Sequence, residues 1–186
     1  MSTIAPLRKL FGYRAWANAE FLEKMEGFDP DLHAEERKAA LRLSNHTYVV
    51  DQIFAAHLTG GEHEFWADNT PEAPSLEDLR TALTASDLWY LRYLDIVTQE
   101  QLDESVSFVF TDGDRGCMSR REMLTDLVIH SGYHRGEVGR IMSQLSICLP
   151  WDTFAVYLHQ TEPSRRLVTE LGRLGGSRGK NPCVAE

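Results

Sequence analysis

Apolar residues recur at helical spacing through most of this chain, and the places where that rhythm stops divide it into elements. Leu7, Leu10, Phe11, Ala15, Ala17, Phe21, Leu22 and Met25 follow one another at intervals of three and four, with Asn18 among them. That spacing predicts a first helix from Pro6 to about Met25, ended near Gly27-Phe28-Asp29-Pro30. A second helix runs from Ala34 to about Leu58 and turns Leu41, His46, Val49, Val50, Ile53 and His57 inward, with Gly60-Gly61 as its stop. Ser75, three residues ahead of Asp78, caps a third helix from Leu76 to about Thr98 with the stripe Leu79, Leu83, Leu88, Leu91, Leu94 and Val97.

The pattern then changes. Val106, Phe108 and Phe110 alternate with polar or small residues before Asp112-Gly113-Asp114, so Ser105 to Cys117 reads as an extended crossover or hairpin. Ser119-Arg120-Arg121-Glu122 is a capping box, and a fourth helix follows to about Leu145. Its inward face is Leu124, Leu127, His130, Ser131, His134, Val138, Ile141 and Leu145. Beyond Pro150, Asp152 is positioned to cap a short last helix, and residues 172–186 are Gly, Arg and small polar residues expected to be poorly ordered. The expectation is an all-α four-helix bundle over residues 1–171, with a long crossover before the fourth helix and a short C-terminal helix.

Composition narrows the function classes. The 186 residues are enough for one core, and a formal net charge of -9 is the wrong sign for a nucleic-acid binder. No apolar run approaches the roughly 20 residues that span a bilayer, and no apolar stretch follows Arg8-Lys9, so neither a membrane span nor a leader is expected. Cys117, Cys148 and Cys183 are too few and too scattered for a disulfide framework, and their odd count suits a cytoplasmic setting. No phosphate loop, serine elbow or dinucleotide fingerprint is present.

Histidine is the informative residue. His130 and His134 lie four apart, which is about 6 Å of rise and about 40° of azimuth, so both rings reach one metal ion from a shared helix face. Both interrupt an apolar stripe, where an imidazole without a partner costs free energy. A third ligand must come from another helix. His46 and His57 both face inward, within about 20° of each other, but about 16 Å of helix separates them, so only one can share the ion.

The segment His130-Ser-Gly-Tyr-His134-Arg135-Gly136-Glu137 resembles the H-x-x-x-H-R-G-[QE] motif of the DinB-like metalloenzyme family. Tyr13-Arg-Ala-Trp16-Ala-Asn18 is similar to that family's first-helix pattern. Leu43-Ser-Asn-His46 through Phe54, and Pro150-Trp151-Asp152 through Leu158, resemble its second-helix and C-terminal segments. The likeness covers about residues 5 to 160. It implies a DinB/YfiT-type bundle, commonly a homodimer, with His46, His130 and His134 as the metal triad, and so selects His46 over His57.

Three neutral imidazoles leave a divalent ion (Zn, Ni or Fe) its full charge and an open position. Hydrolysis and thiol transfer are both within reach, the latter with a low-molecular-weight thiol as co-substrate, as the resemblance implies. A small-molecule substrate follows from either. The alternative is a non-catalytic metal-binding stress-response module. Glu137, one turn beyond His134, either orients a ligand histidine or acts as a base; the plainer expectation is a pairing with an arginine such as Arg140 or with a residue of a partner helix. Asp51, about 140° from His46, is expected to face a neighbouring helix or solvent, and Arg135 to make a salt bridge or dimer contact. Tyr13 and Trp16 are either pocket lining or plain core. Gly136 and Gly139 suggest close helix approach. Cys117 is expected in a loop before the fourth helix.

Overall fold

The computed structural model describes residues 3–166 and divides the chain into two compact units, Met1–Pro150 and Trp151–Glu186. The first unit carries α1 (Ile4–Lys24), α2 (Ala34–Thr59), α3 (Leu76–Ile96), a short α4 (Gln99–Leu102), the strands β1 (Ser105–Val109) and β2 (Arg115–Ser119), and α5 (Arg120–Gln144). The helix packing joins α1 to α3 and α5, and α2 to α3 and α5, which closes a four-helix bundle. The second unit contributes α6 (Phe154–Thr161), whose cap is Thr153 and not Asp152: the Thr153 hydroxyl accepts from the amide of Val156. The segment 172–186, expected to be poorly ordered, lies outside the described residues.

Local chemistry explains the boundaries. The Ser75 hydroxyl accepts from the amide of Asp78 at 3.1 Å and starts α3. Ser119 and Glu122 form the reciprocal capping box that starts α5. Gly60 takes the left-handed conformation, φ 69°, at the end of α2. The third helix stops at Ile96, two residues earlier than its spacing suggests, because Thr98 opens a capping box of its own with Gln101. The crossover is an antiparallel hairpin in which Cys117, expected in a loop, pairs with Ser107. A Cβ at Gly116 would fall 2.8 Å from the rings of Phe108 and Phe110, so only glycine admits that packing.

The core is two apolar blocks. One gathers Leu7, Phe11, Val49, Ile53, Tyr90, Leu94, Leu124 and Leu127, and the other Phe21, Leu22, Leu41, Leu79, Leu83, Val138, Ile141 and Met142. Each long helix contributes to both, and at or beside the junction of its two contributions each buries polar residues: Arg14 and Asn18 on α1, Asn45, Thr47 and Asp51 on α2, Ser86 and Asp87 on α3, Ser131 and Arg135 on α5. The bundle therefore has a polar waist. This is where the α3 stripe departs from expectation: Leu88 is 48% exposed, while Ser86, Asp87 and Tyr90 take the inward positions.

The waist is held by paired charges. Arg14, wholly buried, donates from Nη1 and Nη2 to the two carboxylate oxygens of Asp51 at 2.8 and 3.1 Å, and from Nε to Asp87 at 3.0 Å. Burial works against the guanidinium charge, but Asp51 and Asp87 outweigh it and hold Arg14 above its ordinary range. Burial pushes the Asp51 carboxyl up to about 6, against the pull of Arg14. Ser86 also donates to Asp51, and the Tyr90 hydroxyl donates to its backbone carbonyl. Asn18 links Asp87 onward, its amide oxygen accepting from Arg135 at 3.1 Å, and Arg135 donates to Ser131 at 2.6 Å. Asp51 thus faces neighbouring helices. Arg135 is buried among hydrogen bonds to Asn18 and Ser131, with its guanidinium 5.5 Å from the Tyr13 ring centre.

Candidate metal centre

At the level of the waist, α2 and α5 bring three imidazoles together. Nε2 of His130 lies 3.0 Å from Nε2 of His46 and 3.0 Å from Nε2 of His134. The three ligand atoms fall within 4.8 Å of one another, and this is the group of three or more metal-ligating side chains found among the described residues. The α5 pair meets because four residues make one turn; His46 meets them because α2 packs along α5.

The backs of two rings are fixed. Nδ1 of His46 stands 2.7 Å from the carbonyl oxygen of Asp68, with the Asp68 carboxylate 3.6 Å away. Nδ1 of His134 stands 2.6 Å from Oε2 of Glu137. A carbonyl and a carboxylate can only accept, so both Nδ1 atoms carry a proton, and in the neutral rings both Nε2 atoms turn lone pairs inward. Nε2 of His130 can give a proton to one of them at a time. At least one lone pair therefore faces another ring without a proton between.

A single cation removes that conflict. Nitrogens 3.0 Å apart can both lie at the roughly 2.0–2.1 Å that imidazole takes from zinc. The charge state agrees: burial first, then His134, His46 and Arg14, pushes His130 down to about 4, with Asp68 opposing, so its ring is neutral at neutral pH. His130 has no such backing, since its Nδ1 is buried without a hydrogen-bond partner among the described residues.

The loop that carries Asp68 is itself tied to α2. Asn45 donates to Asn69 and to Thr70, Arg42 donates to the Thr70 carbonyl at 2.8 Å, and Asn69 donates back to the Arg42 carbonyl at 3.0 Å. The clamp explains how an exposed loop delivers a backbone acceptor to His46. Sequence reasoning missed Asp68 because a backbone carbonyl leaves no signature in residue type. The run Asp68-Asn69-Thr70, polar and facing Asn45, was the available signal.

Glu137 pairs with His134 and not with Arg140, which corrects the plainer expectation and leaves the orienting role. His57 is not in the triad; it sits at the far end of α2, held below its ordinary range by burial and by His63. Tyr133, 65% exposed, meets His134 edge-on with ring centres 5.1 Å apart and forms an apolar rim beside the site. Tyr13 and Trp16 are partly buried, their ring centres 6.3 Å apart. Gly139 does approach a neighbour, with Phe21 at 3.5 Å from a notional Cβ, whereas Gly136 has open space. No helix among the described residues is long and apolar enough to cross a membrane.

Comparison with curated proteins found no match. A family description does match, and it spans residues 1–166, taking in all four long helices and the three histidines. By that match, in agreement with the all-α bundle, the chain belongs to the DinB family.

Proposed function

We propose that the chain is a metal-dependent enzyme, a thiol S-transferase or a hydrolase, that acts on a small molecule at His46, His130 and His134. The observation that carries this reading is the position of Glu137. Its carboxylate is engaged with the back of the His134 ring at 2.6 Å, so among the described residues no fourth protein ligand joins the three nitrogens. A divalent ion on three neutral imidazoles acts as a Lewis acid and lowers the pKa of a water or thiol that it takes up.

The protein's own part is to prepare that site. The Asp68 carbonyl and the Glu137 carboxylate fix the tautomers of His46 and His134, and Glu137 also strengthens the basicity of its partner. The side chains of His46 and His134 keep 19% and 14% of their surface, which leaves an approach from solvent. Tyr133 offers an apolar surface to the incoming molecule. A divalent Zn, Ni or Fe ion, a low-molecular-weight thiol as co-substrate and a homodimer complete the reading, and the DinB resemblance supports them.

The test uses tag-free protein. Metal content is measured first, then thiol transfer to small electrophiles and hydrolysis of small esters and amides, for the wild type and for His130→Ala. Stoichiometric metal with a metal-dependent turnover that His130→Ala abolishes is the expected result. Activity that survives His130→Ala overturns the assignment. Stoichiometric metal with no turnover in either reaction class favours the non-catalytic stress-response module.

A further inference from the structure

A second pair of histidines lies away from the triad. His57, in the last turn of α2, and His63, just beyond that helix, meet edge to face with ring centres 5.2 Å apart and planes at 76°. Nε2 of His57 and Nδ1 of His63 are both buried, and neither has a hydrogen-bond partner among the described residues. A buried polar atom left unsatisfied costs about 1–3 kcal/mol, and such atoms in folded proteins call for a ligand, a water or an ion. Here two occur on touching rings.

The surroundings cannot supply the partner. Phe108 of β1 stacks on His57 at 5.2 Å, Phe54 meets the same ring at 6.4 Å, and Phe65 stacks on His63 at 6.4 Å. These walls hold the rings in place and offer neither donor nor acceptor. On the solvent side His63 lines a surface cleft, with Glu62 and Gln52 at its rim, that reaches the His63 end of the pair.

We propose that His57 and His63 form a second metal site, separate from the triad, for a divalent ion that prefers imidazole. The class is Zn, Ni or Cu, because the two protein ligands are imidazole nitrogens, which suit these ions and not the oxygen-seeking Mg and Ca. With two protein nitrogens and solvent completing the shell, the site binds more weakly than three histidines do. About 16 Å of helix between His46 and His57 keeps the two ions independent.

Zinc titration of the full-length, tag-free protein by calorimetry tests this, alongside His57→Phe and His63→Ala. Phenylalanine preserves the stack on Phe108, and far-UV circular dichroism confirms folding of both variants. The wild type is expected to take up a tight first equivalent and a weaker second one. Each variant should weaken the second by at least tenfold and leave the first unchanged. Long-range 1H–15N spectra of the imidazoles should show zinc shifting Nε2 of His57 and Nδ1 of His63. A single equivalent in the wild type overturns the proposal, and so does a second equivalent that both variants retain, which marks adventitious binding elsewhere. Because the first equivalent reports the triad separately, loss of one reading leaves the other standing.

Discussion

Oε2 of Glu137 lies 2.6 Å from Nδ1 of His134, so the proposed ligand and the group that orients it sit on one helix, three residues apart. That pairing governs affinity. Glu137→Ala should lower zinc affinity about 10- to 100-fold, the usual cost of removing a carboxylate behind a ligating histidine. Glu137→Gln, which still accepts a hydrogen bond, should fall between. Chelator-competition titrations at neutral pH read both, and unchanged affinity in Glu137→Ala would remove the orienting role.

Metal binding should stabilise the fold, because the three nitrogens come together only in the native bundle. Zinc at one hundred times its dissociation constant adds about 2.7 kcal/mol. Thermal unfolding with and without zinc should show the rise in the wild type. His46→Ala and His130→Ala should show none of the component set by the triad.

Removing Arg14 strands two buried carboxylates. Arg14→Met should cost about 3–5 kcal/mol in urea unfolding, the range for breaking a buried ion pair on one side. Asp51→Asn together with Asp87→Asn in that background should restore a good part of it. If the double replacement restored nothing, the loss would lie in packing and not in charge.

The Glu122 cap should make stability sensitive to acid. The Ser119 amide, and then its hydroxyl, hold the Glu122 carboxyl below its ordinary value in the folded protein. A depressed acid stabilises the native state above the unfolded value of about 4.5, and that contribution is lost as pH falls through the folded value. Comparing wild type with Glu122→Ala, the stability gap should be constant at neutral pH and close below about pH 4.5. A gap independent of pH would mean that the cap works without its charge.

Gly136 sits exposed within α5 with open space around a notional Cβ. Gly136→Ala should stabilise the protein by up to about 1 kcal/mol through helix propensity alone. Gly139→Leu should destabilise it, because Phe21 and Leu149 already stand within 4 Å. Urea midpoints of the two variants give the comparison.

Much of this molecule was legible in its sequence. The long helices announce themselves through apolar spacing, and the caps at Ser75 and Ser119 through side chains placed to meet free amides. The α5 histidine pair was visible as polar residues in an apolar stripe. Choosing His46 over His57 was not possible from helix geometry, since both face inward; the family resemblance supplied it. The Asp68 carbonyl could not be read because a loop's path is set by tertiary clamps such as Asn45 to Asn69. The α3 face departs from its spacing at one position for a related reason. Leu88 satisfies helical spacing yet is exposed, because the inward place beside it goes to Asp87, which Arg14 on another helix needs.

The polar waist also acts as a vernier between the helices. If α2 slid by one turn, about 5.4 Å, against its neighbours, Asp51 would leave Arg14 and a bare guanidinium would face the hydrocarbon of an apolar block. An all-leucine interior would tolerate such creep, whereas this one penalises it at every step. The spacing of His46 from His130 depends on that same alignment, so the salt bridge that indexes the helices also calibrates the distance across the three nitrogens.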